Sequence, residues 1–229
     1  MSEKEIAWAH CNRCNNSTRH NIVHSERVVL EDEIAEGCSV TYWDDYTLLK
    51  CSGCDTVHLK HESAFSEITG LDGEPEVTTT IYPPRISRNK PAWFGSIDGP
   101  FWTGKSEIEQ LLEEIYAALH NNSLRLAAMG VRALLDFIMI DKVGDNGSIG
   151  ENVKVFLNNG YVAPINQETF RTKLIEAGHA AMHRGYTPEI SDLGTLLDLT
   201  ELLIASIYVH PARAKGLKKR IPDRRPSKA

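Results

Sequence analysis

Cys11-Asn12-Arg13-Cys14 and, later, Cys51-Ser52-Gly53-Cys54 decide how the N-terminal part of the chain folds. Each puts two thiols on one tight loop, and 36 residues separate the pairs. Two such knuckles supply four soft thiolates, the donor set that suits a tetrahedral zinc ion without redox chemistry. Four sulfurs close the coordination sphere and leave no position for a substrate water, so the zinc is expected to be structural. A thioredoxin-like use of the motif needs a βαβ setting, and the flanking residues do not offer one. An iron–sulfur centre on the same four thiols stays open. Gly53 is expected to ease the second turn. Cys38 has no partner and reads as a small buried residue or a free thiol.

Around the knuckles the pattern is β-like. Asn21 to Leu30 and Tyr42 to Lys50 are rich in β-branched and aromatic residues, and Thr56-Val57-His58-Leu59 follows the second pair. This predicts a small antiparallel sheet built around the metal. Few large apolar side chains fall in residues 1–70. Such a segment buries little core, and a bound zinc would supply the missing stability.

Beyond a proline-rich stretch the periodicity changes. Ser106 followed by Glu109 fits a capping box. Ile108, Leu111, Leu112, Ile115 and Leu119 then recur at helical spacing. A second helix follows Asn121-Asn122-Ser123, with Leu124, Ala127, Ala128, Val131, Leu134, Leu135 and Ile138 on one face. A third holds Val153, Phe156 and Leu157. A fourth starts near Asn166 and ends at Tyr186-Thr187-Pro188. The last is predicted from Ser191 to about Val209, stopping before Pro211. Short loops between such helices point to a bundle. The expected fold class is α+β. Residues 1–70 read as a zinc-ribbon-like domain, 71–103 as a Pro-rich connecting strap, 104–210 as an α-helical domain and 211–229 as a basic disordered tail.

The chain has 229 residues, 41% hydrophobic and 24% charged, an ordinary composition for a globular protein. No apolar run approaches the ~18 residues of a membrane span, and the opening residues lack a basic-then-apolar leader. No membrane association and a cytoplasmic location are expected. The net charge of −6 hides an asymmetry: from Pro211 onward the chain carries +7, and the rest carries −13. Lys218, Lys219, Arg220, Arg224 and Arg225 form the densest basic group. They are the candidate contacts to RNA or DNA phosphates, through counterion release without sequence specificity. The tail has no aromatic residue for base stacking. Docking on an acidic body, its own or a partner's, is the other reading. Residues 1–62 hold six basic and eleven acidic residues, which argues against a phosphate-binding sheet.

His179 and His183 lie one turn apart on one helix face, with Glu176 three residues before and Arg184 directly after. Metal ligation, acid–base chemistry and a packed or backbone-bonded role are all open to such a pair. Ala177, Gly178, Ala180 and Ala181 flank it and permit close approach of another helix or a substrate. Arg125 and Arg132, seven apart on the second helix, are expected to be solvated or paired with acids such as Asp136 or Glu176.

The run from Tyr116 to Asp136 (YAALHNNSLRLAAMGVRALLD) resembles the opening helices of the bacterial domain-of-unknown-function family 4145. Gly178-His179-Ala180-Ala181-Met182-His183-Arg184-Gly185 resembles a later stretch of that family. Val77 to Pro84 and the two-CxxC ribbon also fit, so the resemblance spans most of residues 8–210. The helical domain is also similar to the HEPN superfamily (higher eukaryotes and prokaryotes nucleotide-binding). That superfamily includes dimeric, metal-independent ribonucleases with an Arg four to six residues before a His. His183 falls where that His would be. Glu176, Ala177 and Gly178 occupy the positions of the Arg, and the motif is not intact. The related family usually has Asn where this chain has His179. The resemblance implies a homodimer that acts as a zinc-binding adaptor or interaction protein, with nucleic acid or a protein as partner, in nucleic-acid-linked or phage-defence processes. The alternative it implies is a metal-independent ribonuclease using His183 at a dimer interface, with His179 or Arg184 assisting.

Overall fold

The computed structural model describes residues 6–99 and 104–218. They form two compact units, Met1–Ser87 and Arg88–Ala229. The first is a β-sheet and the second is helical, so the chain is α+β.

The sheet is an antiparallel meander in the order β1-β2-β3-β4-β5. Its strands are β1 Ile6–Cys11, β2 Asn16–Ala35, β3 Cys38–Cys51, β4 Val57–Phe65 and β5 Thr78–Tyr82. β1 covers only Asn16 to Asn21 of β2, which then runs on to Ala35. Period-two alternation along β3 turns Thr47, Leu49 and Cys51 to the inside. Register places His20 opposite Cys51 and His58 opposite Leu49. The interior that results is small and unusual. Besides Val40 and Thr47 it consists of Ala9, Cys11, His20, Leu49, Cys51 and His58. Such a core has little apolar surface to stabilise a sheet.

β5 lies in the stretch that composition marks as a connecting strap. Its Thr78-Thr79-Thr80-Ile81-Tyr82 is β-prone and pairs with β4. After it, Asn12 clamps the returning backbone: its amide donates to the Pro84 carbonyl at 2.9 Å and its oxygen accepts from the Ile86 N–H at 3.0 Å. Residues 71–87 thus fold with the sheet, and residues 88–99 belong to the helical unit.

The helices are α1 Glu107–His120, α2 Leu124–Val143, α3 Ile149–Asn158, α4 Gln167–Thr169, α5 Glu176–His183, α6 Ile190–Ile204 and α7 His210–Lys218. A 3-10 turn, Pro164–Asn166, opens α4, and π-helical turns at Phe170–Ile175 and Ala205–Val209 join α4 to α5 and α6 to α7. The core is formed by the apolar stripes read from the sequence, with Leu112, Leu134, Leu135, Ile138, Phe156 and Leu197 among its fully buried members. Two glycines set the spacing. A Cβ on Gly130 would lie 2.7 Å from Ile115 Cγ1, and one on Gly178 would lie 2.4 Å from Arg132 Cβ.

Three local expectations are corrected. The capping box is half made: Ser106 Oγ accepts from the Glu109 N–H at 3.3 Å. The buried Glu109 carboxylate is turned to the preceding loop, where it accepts from Gly95 N–H at 2.7 Å. The last helix does not stop before Pro211. The π-turn at Ala205–Val209 resets the hydrogen-bond register, and Pro211 becomes the second residue of α7, where its missing N–H costs little. Residues 211–218 are therefore helical where composition suggested disorder. Lys219, Arg220, Arg224 and Arg225 lie outside the described residues. Among the described residues, no helix is long and apolar enough to cross a membrane.

Candidate metal centre

Both knuckles sit where a strand ends. Cys11 closes β1 and Cys51 closes β3, and the second cysteine of each pair lies in the turn that follows. Each turn is completed by a residue in the left-handed region directly after that cysteine: Asn15 at φ 51° and Asp55 at φ 62°. Asn and Asp tolerate this conformation better than other side chains. Gly53 lies within the second turn, but Asp55 is that turn's left-handed residue. A Cβ there would be in ordinary contact with Cys14 Sγ at 3.7 Å and Cys51 Sγ at 3.9 Å.

The four sulfurs converge, all within 4.8 Å of one another. Cys11 Sγ and Cys54 Sγ are 3.5 Å apart, and Cys14 Sγ and Cys51 Sγ are 3.9 Å apart. A tetrahedral ion with metal–sulfur bonds of about 2.3 Å requires sulfurs about 3.8 Å apart, which these pairs bracket. All four are free thiols. The donor set and spacing therefore fit one metal ion.

The surroundings favour thiolate. The Thr18 hydroxyl donates to Cys51 Sγ at 3.3 Å and the Thr56 hydroxyl to Cys54 Sγ at 3.1 Å. Thr18, followed by the backbone N–H groups of Gly53 and Cys54, lowers the Cys51 thiol to about 6. Thr56 lowers Cys54 likewise, through its hydroxyl and its N–H. Cys14 is pushed up to about 12, first by the neighbouring Cys54 thiol. The same neighbouring thiols that lower Cys51 and Cys54 oppose the ionisation of Cys14. A metal dication removes that opposition.

Sequence reading missed the two histidines that fill the core beside these sulfurs. His20 and His58 are fully buried, with ring centroids 5.3 Å apart, edge to face. Burial, with the nearby rings of His20 and His10, holds His58 below its ordinary value. The available signal was alternation: His20 lies two residues after Thr18, and His58 two after Thr56, the two threonines that bond sulfur.

The candidate catalytic group lies at the end of α5. The rings of His179 and His183 are 4.8 Å apart and tilted by 48°. His183 is exposed and His179 half-buried, with its Nδ1 buried and unpartnered. Arg184 pairs with Glu176. Arg125 is turned to the loop after α5, donating to Thr187 Oγ1 and to the Gly185 carbonyl. Gly178 and Ala181 pack inward, as their small size suggests. A groove of about 570 Å³ opens beside α5, lined by Glu176, Ala177, Ala180, Tyr186 and Asp192 among others. Neither histidine of the pair lines it.

Comparison with curated proteins and with solved structures gives no match. Residues 113–220 match the model of a family described as Domain of unknown function (DUF4145), which supports the family reading drawn from the run Tyr116 to Asp136.

Proposed function

We propose that this chain is a zinc-stapled adaptor rather than an enzyme. The observation that carries this reading is the closed set of four converging cysteine sulfurs. A metal held by four thiolates has no free position for substrate, so its work is to hold the sheet unit together. The helical unit, read as a HEPN-like module, then supplies the contact to a second copy or a protein partner. The basic residues from Lys218 onward add attraction to nucleic-acid phosphates. Cytoplasmic work on nucleic acid, such as phage defence, suits these parts.

The ribonuclease reading keeps one observation in its favour, the contact between the imidazoles of His179 and His183 beside Arg184. One experiment separates the two. Structured and single-stranded RNA are incubated with wild type and His183→Ala in magnesium-free buffer over a salt series. Intact RNA with a salt-sensitive mobility shift is the expected result. Cleavage lost in the variant would replace the adaptor with an enzyme. No shift at low salt would remove nucleic acid from the proposal and leave a protein partner.

A further inference from the structure

The core of the sheet unit contains two imidazoles, and three of their four ring nitrogens lack a hydrogen-bond partner. His20 Nδ1 lies 3.0 Å from the Thr18 carbonyl oxygen, a contact that only an N–H can make. That fixes the tautomer: Nδ1 carries the proton and Nε2 presents a lone pair. This Nε2 is buried and has no hydrogen-bond partner. Both ring nitrogens of His58 are likewise buried and unpartnered. Leaving such atoms bare in a protein interior is costly, and natural cores rarely do so without a reason.

The geometry supplies the reason. A ring nitrogen of His20, a ring nitrogen of His58 and the sulfur of Cys11 all lie within 4.8 Å of one another, and all three residues are buried. A histidine that donates one N–H to a backbone carbonyl keeps its other nitrogen free for a metal, the usual arrangement of a metal-ligating imidazole. Nor is His20 placed as a neutral donor to the Cys11 sulfur, since its one N–H is already given to Thr18. Cys11 belongs to this set and to the four-cysteine set.

We propose that the chain holds a second metal ion of the zinc class, bound by Cys11, His20 and His58, with the Cys11 sulfur bridging it to the ion of the four cysteines. A thiolate sulfur keeps lone pairs after its first metal bond, so the bridge needs no further group. Imidazole and thiolate together suit zinc and its neighbours in the first transition row. Charge supports the second ion. Four thiolates around one dication leave a double negative charge against a buried wall, with neutral histidines behind it. A second dication cancels that charge, which matters most where water is absent. Three protein ligands leave one coordination position for water or a small ligand, unlike the closed first site.

This inference rests on the four-cysteine reading, and metal stoichiometry tests the two separately. The 229-residue chain carrying Cys38→Ser, which removes an exposed free thiol, is stripped under reducing conditions and titrated with Co²⁺. Absorption follows the sulfur-to-cobalt and ligand-field bands. Zinc is counted by mass spectrometry after dialysis against a weak chelator. The expected result is two equivalents per chain, falling to one in His20→Gln and in His58→Gln, while the first equivalent keeps its all-sulfur spectrum. That retained spectrum, with circular dichroism, shows that the variants fold. Saturation of the unsubstituted-histidine protein at one equivalent overturns the second site and leaves the first. Two equivalents untouched by either histidine change overturn it as well. No binding at all overturns the four-cysteine reading itself.

Discussion

Arg88 and Glu201, 113 residues apart, meet in a two-pronged ion pair, with Nε to Oε1 at 2.7 Å and Nη2 to Oε2 at 2.8 Å. Tyr116, buried in α1, donates its hydroxyl to the same Oε1 at 2.7 Å, and Asp198 accepts from Arg88 Nη2 at 2.6 Å. Both side chains of the pair are mostly shielded, at 19% and 13% exposure. Removing Glu201 would leave the guanidinium with weaker partners and take from the phenol the acceptor of its hydroxyl proton. Glu201→Ala is expected to destabilise the helical unit by about 3 kcal/mol. The double variant Arg88→Met with Glu201→Leu should cost less than the two single changes added. Urea unfolding followed at the helical circular-dichroism band would measure both.

Gly178 allows α5 to approach α2 closely. A methyl group there would lie 2.4 Å from Arg132 Cβ and 3.1 Å from the Ala128 carbonyl oxygen. The obstacle is the stem of a side chain and the backbone, and neither swings away. Gly178→Ala, ordinarily helix-stabilising, is expected to lower stability by about 1–3 kcal/mol. An unchanged melting temperature would show that the two helices can separate without loss.

Metal removal should act on one unit. Trp8 and Trp43 lie in the sheet, and their fluorescence is expected to report its loss of structure after chelation. The helical circular-dichroism signal should largely persist. Cys51→Ser should reproduce the effect of chelation, whereas Cys38→Ser, at an exposed thiol, should leave both signals in place.

Acid should weaken the helical unit through named carboxylates. Lys105 and then Lys90 hold Glu113 below its ordinary 4.5, and Lys142 and then Tyr208 hold Asp141 below its ordinary 3.8. A carboxyl lowered in the folded state contributes its stability fully above its unfolded value and loses it as pH falls through the folded one. Stability should therefore hold above about pH 4.5 and decline below it. Glu113→Gln should flatten the upper part of that decline, as read from melting temperatures between pH 6 and pH 3.

The features that sequence made visible are those with short-range causes. The stripes of α1 and α2 repeat every three to four residues, and each CxxC is complete within four. The metal cluster was readable because thiols have few other uses in pairs. Other features depended on distance. Arg88 reads as one more charge in a proline-rich stretch until α6 brings Glu201 to it. β5 was hidden by the prolines that follow it, although its threonines were β-prone. Pro211 marked a stop only because a π-turn leaves no local trace in sequence. His20 and His58 carry no local sign of burial, since a polar side chain announces burial only through its register with buried neighbours.

Among the described residues, β1 pairs with β2 only as far as Asn21, which leaves a long row of backbone donors and acceptors along the rest of β2 without a strand beside it. From Ser25 to Ala35 the strand shows its free side and exposes Val28, Val29, Leu30 and Ile34. Such a margin would recruit further strands if it were neutral. Glu26, Glu31, Asp32 and Glu33 populate it with negative charge. Like charges along the two margins would repel each other, which makes one copy's hairpin a poor template for lengthening the sheet of the next.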